Sequence, residues 1–399
     1  MQHRDPARAR IPAGVWALGL VSLLMDTSSE MIHSLLPIFI VSGLGASAAL
    51  YGLIEGVSEA AVLVTKLVSG AFSDYLRRRK LLAVLGYGMA AASKPLFPLA
   101  NTVATVFVAR LIDRVGKGIR GAPRDALIAD ITPAAVRGGS YGLRQSLDSV
   151  GAVLGPLIAL GLMAVSAGDI PWVFWWALLP GVLSVSVLVL FVREPDGTRE
   201  RGEARWPIQR EGLRRLGGAF WRVVAVAMLL TLARFSEGFL VLRASDVGLP
   251  VAWTPLVLVV MNVSYAASSY PVGRLSDRIG RAGLIAASAG LLAIADVTLA
   301  LAGGMGGAAV GIVVWGLHLG FSQGLLNALV ADTVTPELRG TAFGVFSLCS
   351  GAALLLASVM AGVLWDVAGP AACFWAGAAL SACAAPGLYV IARRVRVTA

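Results

Sequence analysis

Long apolar runs separated by short polar connections set the pattern of this chain. Twelve such runs stand out, near residues 13–43, 51–73, 81–100, 103–122, 141–166, 170–192, 218–244, 251–273, 283–303, 307–329, 341–365 and 370–392. About 20 apolar residues in a helix cross the hydrocarbon core of a bilayer, and a helix satisfies every backbone N–H and C=O within its own segment. The pattern therefore predicts twelve transmembrane helices. The leading residues MQHRDPARARIP are basic and polar. The run after them is longer than a signal-peptide core and has no A-x-A cleavage pattern, so it is expected to stay as the first span.

Composition narrows the class. Of 399 residues, 57% are hydrophobic and only 14% charged, with 46 glycines besides, and the mean hydropathy is +0.78. A soluble domain is nearer half apolar and a quarter charged. A soluble enzyme, a disordered chain and a collagen-like chain are excluded. The net charge of +10 would suggest a nucleic-acid partner in a soluble protein. Its distribution points to a membrane surface instead, with no nucleic acid. Arg77, Arg78, Arg79 and Lys80 follow the second span, Arg137 the fourth, Arg274, Arg278 and Arg281 the eighth, and Arg339 the tenth. A charged linker over 193–217 follows the sixth, and both ends of the chain are basic. The odd-numbered connections are almost free of Lys and Arg. The positive-inside rule then places both termini and the linker in the cytoplasm, and an even number of spans agrees. Cys349, Cys373 and Cys383 lie in late apolar runs without CxxC spacing and read as small buried hydrophobes.

The chain repeats itself. Gly70-Ala-Phe-Ser-Asp74 returns as Gly273-Arg-Leu-Ser-Asp277, and ALIADITPAAVRGGSYGL (126–143) returns as ALVADTVTPELRGTAFGV (328–345). The offset is 203 residues for the first pair and 202 for the second. Apolar helices resembling each other by chance would not keep polar loop residues in register. The expected organisation is a six-helix half over 1–192, the linker over 193–217 and a second half over 218–399, related as parallel repeats.

On these motifs the sequence resembles the major facilitator superfamily of secondary transporters along its whole length. Gly70, Asp74 and the arginines after them resemble the family's loop signature. Gly273, Asp277, Arg278 and Arg281 resemble it more closely. Arg114-Val-Gly-Lys117-Gly118-Ile-Arg120 resembles the fourth-span signature. Gly142, Gly151, Gly155 and Pro156 resemble the fifth-span antiporter signature, whose closing glycine pair is replaced here by Ala159-Leu160. DTSSEMIHSLLP (26–37) and GKGIRGAPRDALIAD (116–130) look like a branch of bacterial permeases of unassigned substrate. The resemblance implies an all-α fold of two pseudo-symmetric six-helix bundles in the inner membrane, working by alternating access, with a monomer as the default. It implies a gate in which Asp74 and Asp277 hold the N-termini of facing helices, where a carboxylate meets free N–H groups and the positive end of the helix dipole. The small residues of the fifth span suit close helix packing or a seal against ion leak.

A charge at the middle of a span costs about 2.5–3.5 kcal/mol on insertion scales, so such charges face a cavity or pair with one another. Family members line the cavity with spans one, four, seven and ten. The resemblance thereby implies Asp26, Glu30, Arg110, Asp113, Arg114, Arg234, Glu237, His318 and Gln323 as substrate- or proton-coupling candidates. Asp26 and Glu30 share one helix face, and either suits a proton site. A fixed salt-bridge network is the alternative, with Glu30 or Asp113 on Arg114. No nucleophile, zinc, Walker or dinucleotide signature is present, so no enzyme activity, resident metal or cofactor is expected. Uphill transport is then expected to use an ion gradient, most simply protons. The basic fourth span favours an organic anion or amphiphile as substrate, and the partial antiporter signature favours efflux. Uptake by symport, divalent-metal export through the Asp26–Glu30–His33 face, and a non-transporting membrane sensor are the alternatives.

Overall fold

The computed structural model describes residues 11–76, 78–194, 210–279, 281–335 and 338–398. Helices account for nearly all of them, in the order the hydropathy pattern predicts: α1 Ala13–Gly43, α2 Ala48–Leu76, α3 Arg79–Ser93, α4 Val103–Ile131, α5 Arg137–Val165, α6 Ile170–Phe191, α7 Gly218–Asp246, α8 Pro255–Ile279, α9 Arg281–Leu301, α10 Met305–Asp332, α11 Arg339–Ala368 and α12 Pro370–Thr398. Among the described residues, ten helices are long and apolar enough to cross a membrane. The other two are α3, with only 15 residues before a 3-10 turn over Lys94–Leu96, and α4, which is long but heavily charged. Helix α4 also runs through Pro123 to Ile131, past the expected end at residue 122.

Among the described residues, two of these helices are broken. In α1 the helix stops at His33 and resumes at Leu36. Pro37 explains the stop, since its ring clashes with the carbonyl four residues back and it has no N–H to donate. In α7 the residues 234–237 leave the helix, which resumes at Gly238. The repeat offset of 203 carries Ser34 onto Glu237, so the two breaks occupy corresponding places.

The chain packs as two compact units. The first contains the described parts of Met1–His33 and Ala61–Arg205, and the second those of Ser34–Ala60 and Trp206–Ala399. In the first unit α1 packs against α5 and α6, and α3 against α4. Its core gathers Leu18, Val21 and Met25 of α1, Tyr87 and Ala90 of α3, Leu127 and Ile128 of α4, and Leu188 of α6. In the second unit α9 packs against α10 and α12, and α8 against α10. Here Pro37 lies against Gly238, Tyr51 stacks edge-on to Phe239 at 5.5 Å, and the Asp366 carboxylate accepts from the N–H groups of Ala48 (3.0 Å) and Ala49 (2.8 Å) at the start of α2. That contact caps a helix N-terminus from another helix.

Large apolar side chains cover the outside. Leu190, Phe191 and Val367 are 70%, 67% and 80% exposed. In water such a belt would drive aggregation, whereas in lipid it is the solvated surface. Trp172, Trp175 and Trp176 cluster at the start of α6, as tryptophans do at the membrane–water boundary. Cys373 is buried and Cys349 partly so, but Cys383 is exposed on the apolar surface, contrary to the buried reading.

Candidate functional site

The in-span charges of the first unit converge across α1, α3, α4 and α5. Asp113 is at the centre, nearly inaccessible. Lys94, from the end of α3, donates to its Oδ1 at 2.8 Å and to Ser29 Oγ at 3.0 Å. Arg114 Nε stands 3.6 Å and Arg110 4.0 Å from its Oδ2. Arg110 also donates to His33 Nδ1 at 2.6 Å, which makes that nitrogen an acceptor and puts the proton of a neutral ring on Nε2. About two turns further along α4 from Asp113, Arg120 reaches Asp26 Oδ1 at 3.4 Å and lies over the Tyr87 ring, 4.5 Å from its centroid. Arg124 donates to Ser22 Oγ at 3.1 Å, and Ser22 meets Tyr87 Oη at 3.3 Å. Arg144 and Asp148 pair at 2.6 Å along α5. Glu30 lies in the field of Lys117, Arg114, Arg110 and Asp26. Lysines and arginines outnumber carboxylates in this cluster. Arg120 Nη1, Arg144 Nε and Asp148 Oδ1 are buried without a hydrogen-bond partner.

Helix α5 is pressed onto the same face of α1. A Cβ built on Gly151 would stand 2.6 Å from the Leu23 carbonyl oxygen, and one on Gly155 2.7 Å from that of Thr27 and 2.7 Å from Glu30 Cβ. The buried part of the fifth-span motif thus walls the Asp26–Glu30 side of the cluster. Pro156 is buried beside it, whereas Gly142 is exposed and a Cβ there would meet nothing.

In the second unit, the break in α7 sets Arg234 on a non-helical turn, in the field of Glu237, Tyr265 and Glu59. A broken helix leaves backbone groups free to meet a ligand, and breaks at matching places in two repeats mark binding sites in several transporter folds. His318 is fully buried and donates Nδ1–H to the Ser288 carbonyl at 2.7 Å. Gly70 is half-buried next to Ala122, and Gly273 and Arg278 are exposed. The side chains of Asp74, Asp277, Arg281 and Gln323 lie outside the described residues. Arg79 pairs with Asp130, and Glu194 Oε1 accepts from the Arg79 N–H at 2.6 Å, so this basic stretch also organises the start of α3.

The model of the major facilitator superfamily matches residues 18–350 and 238–398. The chain belongs to the major facilitator superfamily. It is therefore a multi-pass membrane transporter for small molecules and not an enzyme. An uncharacterised transporter of this superfamily from Methanocaldococcus jannaschii is 29% identical over 373 residues, 92% of each chain. Multidrug resistance protein 1 of Bacillus subtilis is 28% identical over 182 residues, 44% of this chain and 45% of its own. The crystal structure of the human organic anion transporter MFSD10 superposes with a TM-score of 0.67 at 17% identity, covering 94% of this chain and 100% of that one.

The structure brings together Asp26, Glu30, Arg110, Asp113 and Arg114 in one unit, and Arg234 with Glu237 in the other. Lys94, Arg120 and Arg124 belong to the first cluster as much as the arginines expected there. The signal for Lys94 and Arg120 was their position inside apolar runs, whereas Arg124 lies beyond the run that ends at residue 122. No local spacing on their own helices pointed to their partners on α1 and α4.

Proposed function

We propose that the protein expels a small organic anion in exchange for protons across the cytoplasmic membrane, by alternating access between the halves 1–192 and 218–399, with both termini and the 193–217 linker cytoplasmic. The observation that carries this reading is the excess of cations in the first-unit cluster. Lys94, Arg110 and Arg114 converge on the carboxylate of Asp113, and Arg120 keeps one buried N–H direction without a partner. An anion entering there completes the hydrogen bonds and neutralises the surplus. Asp26 and Glu30, set beside these cations, are the groups that take up and release protons. The second unit contributes Arg234, Glu237, His318 and Gln323, and Asp74 and Asp277 act as the cytoplasmic gate. Similarity to a multidrug resistance protein over 45% of its length supports efflux, and the fold shared with an organic anion transporter accommodates the substrate class. The Asp26–Glu30–His33 face is a poor metal site: His33 Nδ1 already accepts from Arg110, and among the described residues no three His, Cys, Asp or Glu side chains form a ligand set.

The test uses proteoliposomes with a pH-sensitive dye inside and an imposed proton gradient. Organic anions, amphiphilic cations and divalent metals are added one at a time. Proton movement with an anion, lost in Asp26→Asn or Glu30→Gln and weakened in Arg120→Ala, is the expected result. Movement with cations or metals alone overturns the anion assignment, and flux in the opposite sense makes the protein a symporter.

A further inference from the structure

Asp296 lies in α9, five residues before the helix ends at Leu301, fully buried, and neither of its carboxylate oxygens has a hydrogen-bond partner. Gly377 of α12 makes the room for it: a Cβ there would sit 3.1 Å from the Asp296 carboxyl carbon. From α10, the indole of Trp315 is the neighbouring donor. It acts on the carboxyl at short range but is not placed to complete a hydrogen bond, so its N–H is also unsatisfied. The Trp315 ring lies 6.2 Å from that of His318, whose Nε2 has no partner either. Four unsatisfied polar atoms therefore gather between two packed helices in an otherwise apolar interior.

No charged group from α8, α10 or α12 acts on Asp296. The titratable side chains on the packed faces are His318 on α10 and Cys373 on α12, and Arg234 of α7, next to the Ala233 carbonyl that approaches Gly377, acts on His318. Arg243 of α7, which bears with Asp296 on the Cys373 thiol, is fully engaged by Asp246 and by the carbonyls of Leu299, Ala300 and Ala302. An ionised carboxylate in such a place, without a cation or a hydrogen bond, costs more than the fold can return, and the group is carried as the neutral acid.

The repeat gives this position its meaning. The offset of 202 carries Lys94 onto Asp296 and Asp113 onto Trp315. The first unit fills these two places with a buried ion pair at 2.8 Å. The second fills them with an acid and a neutral donor, and no cation replaces the lysine.

We propose that Asp296 is a proton-binding site of the second unit, distinct from Asp26 and Glu30, at which one proton is reversibly held. Release of the proton leaves a carboxylate that the waiting Trp315 N–H hydrogen-bonds, so both states of the site are accommodated. This holds whatever the transported substrate is.

The test counts protons directly. Purified full-length protein in detergent is titrated from acid to alkaline pH with a pH indicator, beside Asp296→Asn, and each sample's fold is checked by thermal melting. The expected result is one proton fewer per molecule released by Asp296→Asn, with the same deficit when Asp26→Asn and Glu30→Gln are already present. Equal counts overturn the proposal. A second measurement needs no variant: labelling of the wild-type protein by a lipid-soluble carbodiimide, which attacks protonated buried carboxyls, mapped by mass spectrometry. Labelling of Asp296 that declines as pH rises supports the site, and labelling that is absent or indifferent to pH overturns it. Neither readout involves transport, so a failure of the efflux assay leaves this result standing.

Discussion

Replacing Asp113 should harm the protein far more than replacing Lys94, although the two form one ion pair. At an effective dielectric constant of about 20, a pair at 2.8 Å attracts by about 6 kcal/mol, at 3.6 Å by about 5 and at 4.0 Å by about 4, before desolvation is subtracted. Asp113 faces all three cations, and Lys94 faces only one carboxylate. Asp113→Asn thus leaves Lys94, Arg110 and Arg114 crowded around a neutral amide. Removing one partner of a buried charged network costs about 3–5 kcal/mol, and here several like charges are left behind. Lys94→Met leaves Asp113 with two guanidinium neighbours and also relieves the repulsion of Lys94 by Arg114 and Arg120. Its cost should be nearer that of one charge-assisted hydrogen bond, about 1.5–3 kcal/mol. Thermal and denaturant unfolding of both variants in the same detergent measure the difference. An equal loss, or a larger one for Lys94→Met, would refute the placement of Asp113 as the common counter-ion.

Three further outcomes follow from the packing. Gly155→Leu should destabilise by about 1–3 kcal/mol, because the new side chain meets the Thr27 carbonyl and Glu30 rather than a flexible tip, while Gly142→Ala should stay within about 0.5 kcal/mol of wild type or slightly improve it; melting curves compare them. Asp366→Ala removes the acceptor for two N–H groups at the start of α2 and should cost about 1 kcal/mol, read as a lower unfolding midpoint with Asp366→Asn partly restoring it. A lipid-soluble maleimide should modify Cys383 quickly and Cys373 only after unfolding, which mass spectrometry resolves peptide by peptide.

The sequence was most informative where physics acts along one helix. Hydropathy located all twelve helices, including α3, which is too short, and α4, which is too charged, to meet a strict span criterion. It misplaced ends where the polar helix continues beyond the apolar run, as α4 does through Pro123 and α5 does from Arg137. It also missed the breaks after His33 and Ala233. Pro37 and the polar stretch Arg234-Phe-Ser-Glu237-Gly238 were visible, but both lie within runs apolar enough to read as continuous. Pairs on one helix, such as Arg144 with Asp148, follow from spacing. Partners on different helices do not, so Lys94 and Arg120 were recognised as costly charges without their roles.

The repeat recovers part of what spacing leaves hidden. Because the two halves share a register, a contact between α3 and α4 specifies which residues of α9 and α10 should meet. Lys94 with Asp113 thereby points to Asp296 with Trp315, and that juxtaposition is found. The backbone plan is common to both halves, but the chemistry placed on it is not. One half solves the problem of buried charge by pairing, which fixes its charges in place. The other leaves an acid without a cation, which makes its charge depend on a proton. A proton held at Asp296 adds to those exchanged at Asp26 and Glu30, and it does so at a place in the repeat where the other half has spent its charge on a fixed pair.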